Sequence, residues 1–124
     1  MWAEERRVLI VDAVNTLRAR LGENGFAILR DAACEENYVQ FRKAANGLAA
    51  VEVTSHGWGG RLPPLTAPEI AGLRRLGFGA PDLNLGQEIS LADPQVIAEV
   101  SERAFEILGS PANFTLQIEM HDLE

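Results

Sequence analysis

Tyr38-Val39-Gln40-Phe41-Arg42-Lys43-Ala44-Ala45-Asn46-Gly47-Leu48-Ala49-Ala50-Val51-Glu52-Val53-Thr54 is the stretch on which the fold turns. Apolar and polar residues alternate on both sides of an Asn-Gly pair, the pattern of a β-hairpin. Val39 and Phe41 fall on one face of the first strand, with Tyr38, Gln40 and Arg42 on the other. On the return strand, Leu48 to Ser55, Val51 and Val53 oppose Glu52 and Thr54. A two-residue turn at Asn46-Gly47 would set Phe41 across from Glu52, an aromatic facing a carboxylate. A three-residue loop, Ala45-Asn46-Gly47, sets Phe41 across from Val51 and Val39 across from Val53. The sequence therefore predicts the three-residue loop, with Gly47 left-handed as a bulge glycine.

The pattern extends to both ends of the chain. Residues 3–21 read as an amphipathic helix on Ile10, Val14, Leu17 and Leu21, widened by Leu9 and Ala13 and stopped by Gly22. Residues 25–32 read as a strand, and Cys34-Glu35-Glu36-Asn37 as the turn that follows it. Beyond the hairpin, His56 to Leu65 is a Gly- and Pro-rich loop. Thr66-Ala67-Pro68-Glu69 is a capping box that opens a helix over 67–76, with Ile70, Leu73 and Leu76 inward and Gly77 as its stop. Phe78 to Gly86 reads as a loop and Gln87 to Leu91 as a short strand. Asp93-Pro94 is an N-cap with Pro at the first helical position. The helix 94–108 buries Ile97, Val100, Ala104 and Leu108, with Val96 at its flank and Gly109 at its close. Phe114, Leu116, Ile118 and Met120 share one side of a last strand. The order α-β-β-β-α-β-α-β, with three consecutive strands, indicates a single α+β domain over 1–124 with a mainly antiparallel sheet.

Composition bounds the function. The chain has 124 residues, 47% of them hydrophobic and 23% charged, which suits one globular domain. No run reaches the ~20 apolar residues of a membrane span, and the acidic start, Met1-Trp2-Ala3-Glu4-Glu5, does not resemble a signal peptide. The formal net charge is −7. Residues 1–62 balance eight basic against eight acidic side chains, whereas residues 63–124 carry three basic and ten acidic. Such a chain is a poor match for nucleic acid or an anionic membrane. Its acidic half is a solvating surface or a face for a basic partner segment. The lone Cys34 cannot form an internal disulfide and suggests the reducing cytoplasm.

The search for chemistry gives no catalytic, cofactor-binding or metal-ligating set. Gly57-Trp58-Gly59-Gly60-Arg61 lacks the Lys-Ser/Thr pair of a phosphate loop, and Pro63-Pro64 follow it. His56 and His121 belong to no His-x-x-x-His or Cys-x-x-Cys pattern. Cys34 is followed by two glutamates rather than a base, and reads as a small, half-buried apolar residue. Glu99, Glu102 and Glu106, a row on one side of the last helix, read as a solvated face. Tyr38, Gln40 and Arg42 share a strand face but are a weak base-stacking signal in an acidic chain.

Glu36-Asn37-Tyr38-Val39-Gln40-Phe41, Asn46-Gly47-Leu48 and Val51-Glu52-Val53-Thr54-Ser55 are followed by Leu65-Thr66-Ala67-Pro68-Glu69, Leu73-Arg74-Arg75-Leu76-Gly77-Phe78 and Ala80-Pro81-Asp82. In this order and spacing they resemble the actinobacterial-type branch of the superfamily that joins type III secretion chaperones with the YbjN family. The resemblance covers residues 36–108. It implies helices on one face of a twisted antiparallel sheet, as in secretion chaperones. It also implies a small acidic cytoplasmic homodimer that binds a non-globular segment of a protein client or secreted substrate, and it transfers no catalytic residue. It departs at Asp82-Leu83-Asn84-Leu85-Gly86-Gln87, where related sequences often carry tryptophan.

The expectation is thus a protein-binding, chaperone-like adaptor. Its partner surface is an apolar patch of Trp58, Leu62, Phe78, Leu83 and Leu85. A regulatory or structural dimer without a client is the alternative, and a small-ligand binder or enzyme stands further off.

Overall fold

The structure is a computed structural model that describes residues 1–20, 24–54, 63–79 and 85–121. Its elements are α1 (Ala3–Ala19), β1 (Phe26–Asp31), β2 (Cys34–Lys43), β3 (Leu48–Val53), α2 (Ala67–Arg75), β4 (Leu85–Ser90), α3 (Pro94–Ile107) and β5 (Leu116–His121). This is the α+β class read from the sequence, with a 3-10 turn at Ala45–Gly47 and shifted strand bounds as differences of detail. The five strands form one antiparallel sheet in the order β4-β3-β2-β1-β5.

The hairpin register is the expected one. Val39 pairs with Val53 and Phe41 with Val51. The Ala44 amide donates to the Leu48 carbonyl at 2.8 Å, which closes a loop of Ala45, Asn46 and Gly47. Gly47 is left-handed at φ 72°, and Asn46 joins it at φ 62°. Two consecutive left-handed residues turn the chain sharply, and Asn and Gly tolerate that region best.

Strand parity then builds the core. Ala27, Leu29, Val39, Phe41, Ala49, Val51, Val53, Leu85, Ile89 and Leu116 are all buried on the helix-covered face. Their opposite-parity neighbours Arg30, Tyr38, Gln40, Arg42 and Glu52 lie on the open face, half-buried or exposed. On that face Arg30 bridges Glu119 at 3.1 Å, and His121 stacks on Phe26 with ring centroids 4.8 Å apart. Ile10, Ala13, Val14 and Leu17 of α1, Leu73 of α2, and Ile97, Ala98, Ala104 and Phe105 of α3 complete the core.

Several local expectations are revised. The turn after β1 is Ala32-Ala33, not Cys34 to Asn37, because Asp31 Oδ1 accepts from the Ala33 amide at 2.9 Å and closes the chain earlier. β2 therefore starts at Cys34. Helix α1 ends at Ala19 with Arg20 extended (ψ 143°), so it stops before Leu21 and Gly22, which lie outside the described residues. The Thr66–Glu69 capping box is present, with Thr66 N donating to Glu69 Oε1 at 2.9 Å and Glu69 N to Thr66 Oγ1 at 3.3 Å. Asp93 occupies the N-cap of α3 with no side-chain cap bond; its backbone carbonyl accepts from Val96 and Ile97 instead.

Replacing Gly47 by Ala tests the hairpin. A Cβ there meets nothing within 4 Å, so the cost is purely conformational. The expected loss is about 1–2 kcal/mol of stability, the penalty of a left-handed non-glycine residue. It should appear as a lower urea midpoint with an unchanged slope.

Candidate functional site

Two members of the expected apolar patch are not surface residues. Phe78 and Leu85 are buried in the core, which corrects the expectation that both are exposed. Trp58, Leu62 and Leu83 lie outside the described residues. The burial of Phe78 follows from how α2 ends. Gly77 is left-handed (φ 103°), its amide donates to Arg74 at 3.0 Å, and the Phe78 amide donates to Leu73 at 3.2 Å. These two bonds are a Schellman motif, in which the residue after the glycine folds back onto the last helical turn. Phe78 thus lands beside Leu73, in the core. Leu85 pairs with Val53 in β4 and shares its inward parity.

The large exposed apolar side chains among the described residues are elsewhere. Trp2 (63% exposed), Val8 (61%) and Leu9 (39%) belong to the start and outer sides of α1, and Val96 (48%) to the first turn of α3. On a helical wheel Val8 lies opposite the core stripe centred on Ile10 and Leu17, a position where a helix packed on a sheet ordinarily carries a polar residue. The sequence reading placed Leu9 on the buried stripe. The structure puts the stripe on Arg6, Ile10, Ala13, Val14 and Leu17, with Leu9 at its outer margin.

Between α1 and α3 lies a groove of about 440 Å³, lined by Arg6, Arg7, Glu99, Glu102, Arg103 and Phe114 among others. Its floor is a buried ion pair. Arg6 Nε reaches Glu102 Oε2 at 2.9 Å and Arg6 Nη2 reaches Oε1 at 2.8 Å, a bidentate contact. The remaining guanidinium donors go to carbonyls: Phe114 at 2.9 Å, Ala112 at 3.1 Å, and Met1. The guanidinium also lies 4.0 Å from the centroid of the Phe114 ring, a cation–π contact. The N-terminal ammonium donates to the Asn113 carbonyl at 2.8 Å. Above the pair, Glu99 holds both Arg7 and Arg103 at 3.0 Å.

Glu102 therefore departs from the solvated row expected of Glu99, Glu102 and Glu106; it is buried, while Glu106 is exposed. The signal was in the periodicity. Arg6 sits four residues before Ile10 on one apolar stripe, and Glu102 lies between Ala98 and Phe105 on the other. One opposite charge on each of two apolar stripes marks a buried pair. A second polar knot lies below the end of α3. Asn37 Nδ2 donates to the Leu108 carbonyl at 3.3 Å and to Ser110 Oγ at 3.4 Å, and Ser110 Oγ donates to Asp31 Oδ2 at 2.7 Å.

Chemically, most of these groups are spent on each other. Arg6 is paired with Glu102, Arg7 and Arg103 share Glu99 with Arg7 Nε buried and without a hydrogen-bond partner, and Asp31 accepts from a backbone amide and from Ser110. Among the described residues no three His, Cys, Asp or Glu side chains gather as a metal-ligand group, and no helix is long and apolar enough to cross a membrane. A second open hollow of about 460 Å³ is lined by Arg18, Lys43, Asn46 and Ser90 among others, and Lys43 is tied down by the Arg20 carbonyl. Comparison with known proteins finds no matching family model, no matching curated protein and no matching solved structure.

Glu102→Ala leaves the Arg6 guanidinium buried without its counter-charge. It should cost about 3–5 kcal/mol of stability, whereas the double replacement Arg6→Met with Glu102→Leu should recover most of that loss. Urea denaturation of the two variants beside the wild type gives both numbers.

Proposed function

We propose that this chain is a non-catalytic, chaperone-like protein-binding domain of the secretion-chaperone and YbjN type, acting in the cytoplasm as a homodimer that captures a non-globular segment of a partner protein. The observation that carries this reading is the apolar outer side of α1. Val8 is 61% exposed on the side of α1 opposite the core, among the polar Glu4, Glu5, Asp12 and Asn15, and the N-cap Trp2 (63%) and Leu9 (39%) are exposed as well. Large exposed apolar side chains gathered on one element mark interaction surfaces more often than scattered ones do. An amphipathic or extended client segment would lay apolar side chains on them, with specificity from the flanking charges. The pairing of the buried ionisable groups with one another also favours binding over acid–base chemistry. The resemblance along residues 36–108 points the same way.

Immobilised wild-type protein, Val8→Asp and Trp58→Ala, each exposed to lysate of the native host, test the reading. Val8 is largely exposed, so its replacement leaves the fold intact. The expected result is one partner enriched by the wild type and reduced about tenfold or more by Val8→Asp, the size of a hot-spot loss. Trp58→Ala reports on the loop that carries the other expected anchor. A folded sample that enriches nothing would overturn client capture and favour the regulatory dimer without a client.

A further inference from the structure

The two edges of the sheet are treated differently by the chain. On the β4 side, Gly86 donates to Gly79 at 3.0 Å and accepts from it at 2.8 Å, and the Ser90 carbonyl accepts from the Asp93 amide at 3.0 Å. Gly86, Glu88 and Ser90 are the residues whose backbone groups point away from β3; both groups of Gly86 and the Ser90 carbonyl are met by the protein itself, and the residue between the two closures is a charged one. On the β5 side, the Ala32 amide donates to the Thr115 carbonyl at 2.9 Å. That bond fixes the parity: Gln117, Glu119 and His121 exchange backbone bonds with Arg30, Ile28 and Phe26, and Leu116, Ile118 and Met120 turn theirs outward. Among the described residues no backbone group meets them. Nor is the edge blunted by proline, lysine or a bulge, the usual defences.

We infer that β5 is a self-association edge, at which two copies pair β5 to β5 antiparallel about a two-fold axis normal to the sheet and join their five-stranded sheets into one of ten strands. The inference rests on the homodimer part of the proposed function and assigns its interface; it does not depend on client capture. Three observations favour a second copy over an unrelated extended segment. First, one register is self-complementary. With Ile118 opposite its own copy, Leu116 faces Met120, and an apolar row continues the core face across the axis. Gln117 then faces Glu119 on the open face. Slipping by two residues in one direction sets Glu119 against Glu119, and in the other leaves Met120 beyond the paired strand.

Second, this axis keeps the helices of both copies on one side of the sheet, as the burial of their sheet face requires. Third, α1 packs over β1, β2 and β5, while α3 packs over β2 and β4. The flank of α1 that carries Ala3 and Arg7 faces α3 across the groove. Helical geometry therefore turns Leu9 to the other flank, above the β5 edge. The two-fold brings that flank against its copy and covers Leu9. Val8 and Val96 remain outward and free for a partner.

A concentration series by sedimentation equilibrium in 150 mM salt (about one 8 Å screening length) tests this on the full chain, with Gln117→Glu, Gln117→Arg and Ile118→Pro beside the wild type. Gln117 is exposed but lies across from Arg30 in the β1–β5 ladder, so circular dichroism and the urea midpoint of each variant record the within-chain effect apart from the dimer constant. Gln117→Glu sets two Glu–Glu pairs across the axis and Gln117→Arg sets two Arg–Glu pairs. The dimer constant should move about two- to thirtyfold weaker in the first and by a similar factor tighter in the second. Ile118→Pro removes an outward amide but none of the bonds to β1, and should sediment as a folded monomer. A wild-type dimer unmoved by either Gln117 variant overturns the interface and leaves the homodimer reading standing. A wild-type monomer at all concentrations overturns both, and client capture is then judged on the Val8→Asp result alone.

Discussion

The register of the β2–β3 hairpin is the constraint on which the other packing decisions depend. A strand repeats every two residues, so a slip of one would turn Val39, Phe41, Val51 and Val53 out together and bring Gln40, Arg42 and Glu52 into the core. Asn46 and Gly47 prevent the slip because they accept left-handed geometry in succession, which sets the loop at three residues. Once that face is apolar, the helices have one surface on which to bury their stripes. The same parity, carried across β2 to β1 and on to β5, decides which backbone groups of Leu116, Ile118 and Met120 point out of the sheet.

The helices need a second constraint. Apolar stripes such as Ile10-Val14-Leu17 and Ile97-Ala104 can slide past each other by a turn at modest cost, since most of the burial survives. A single charge on each stripe cannot slide. Arg6 and Glu102 are out of water and tolerable only together, with each remaining Arg6 donor met by a carbonyl of Met1, Ala112 or Phe114. Those carbonyls come from the chain's first residue and from the loop between α3 and β5. The pair thus sets how α1 lies on α3 and also fastens the segment that delivers β5 to the sheet. Its value is in specifying the arrangement more than in net stability, since desolvation consumes much of the Coulomb attraction.

Much of the fold was legible in the sequence because its signals are local. The hairpin loop, the Thr66–Glu69 capping box, the left-handed glycines at 47, 77 and 109, and the inward positions of Ile10, Val14, Leu17, Leu73, Ile97, Ala104 and Leu108 each depend on a few neighbouring residues, whereas Ile70, Leu76 and Val100, expected inward, are only half-buried and the buried Phe105 is an addition. The other revisions come from interactions between distant residues. Glu102 was read with Glu99 and Glu106 as a surface row because its partner lies 96 residues away. Cys34 to Asn37 was read as a turn from its polarity, yet Asp31 closes the turn earlier through its own side chain. Phe78 is an instructive case. Its place after a helix-ending glycine carried the information that it folds back onto Leu73, but a large apolar residue in a loop invites the opposite reading.

Where the charges are used inside the molecule, recognition falls to what remains on the outside. Arg6 faces Glu102 and Arg30 faces Glu119, each matched one to one, while Arg7 and Arg103 share the single carboxylate of Glu99. Among the described residues the outward resources include apolar side chains, chiefly on α1, and the backbone groups of an open strand edge. They suit different partners. An edge strand rewards any extended chain with backbone hydrogen bonds and discriminates only by the side chains across from it, which for β5 are best matched by β5 itself. The outer face of α1 offers no backbone bonds, so it discriminates by shape and apolar area. A protein that paired with itself through β5 would still present Val8 of α1 and Val96 of α3, in two copies held on one side of a continuous sheet. Two copies of a weak apolar site on one rigid frame hold a flexible segment far better than one, because the second contact is made at high effective concentration.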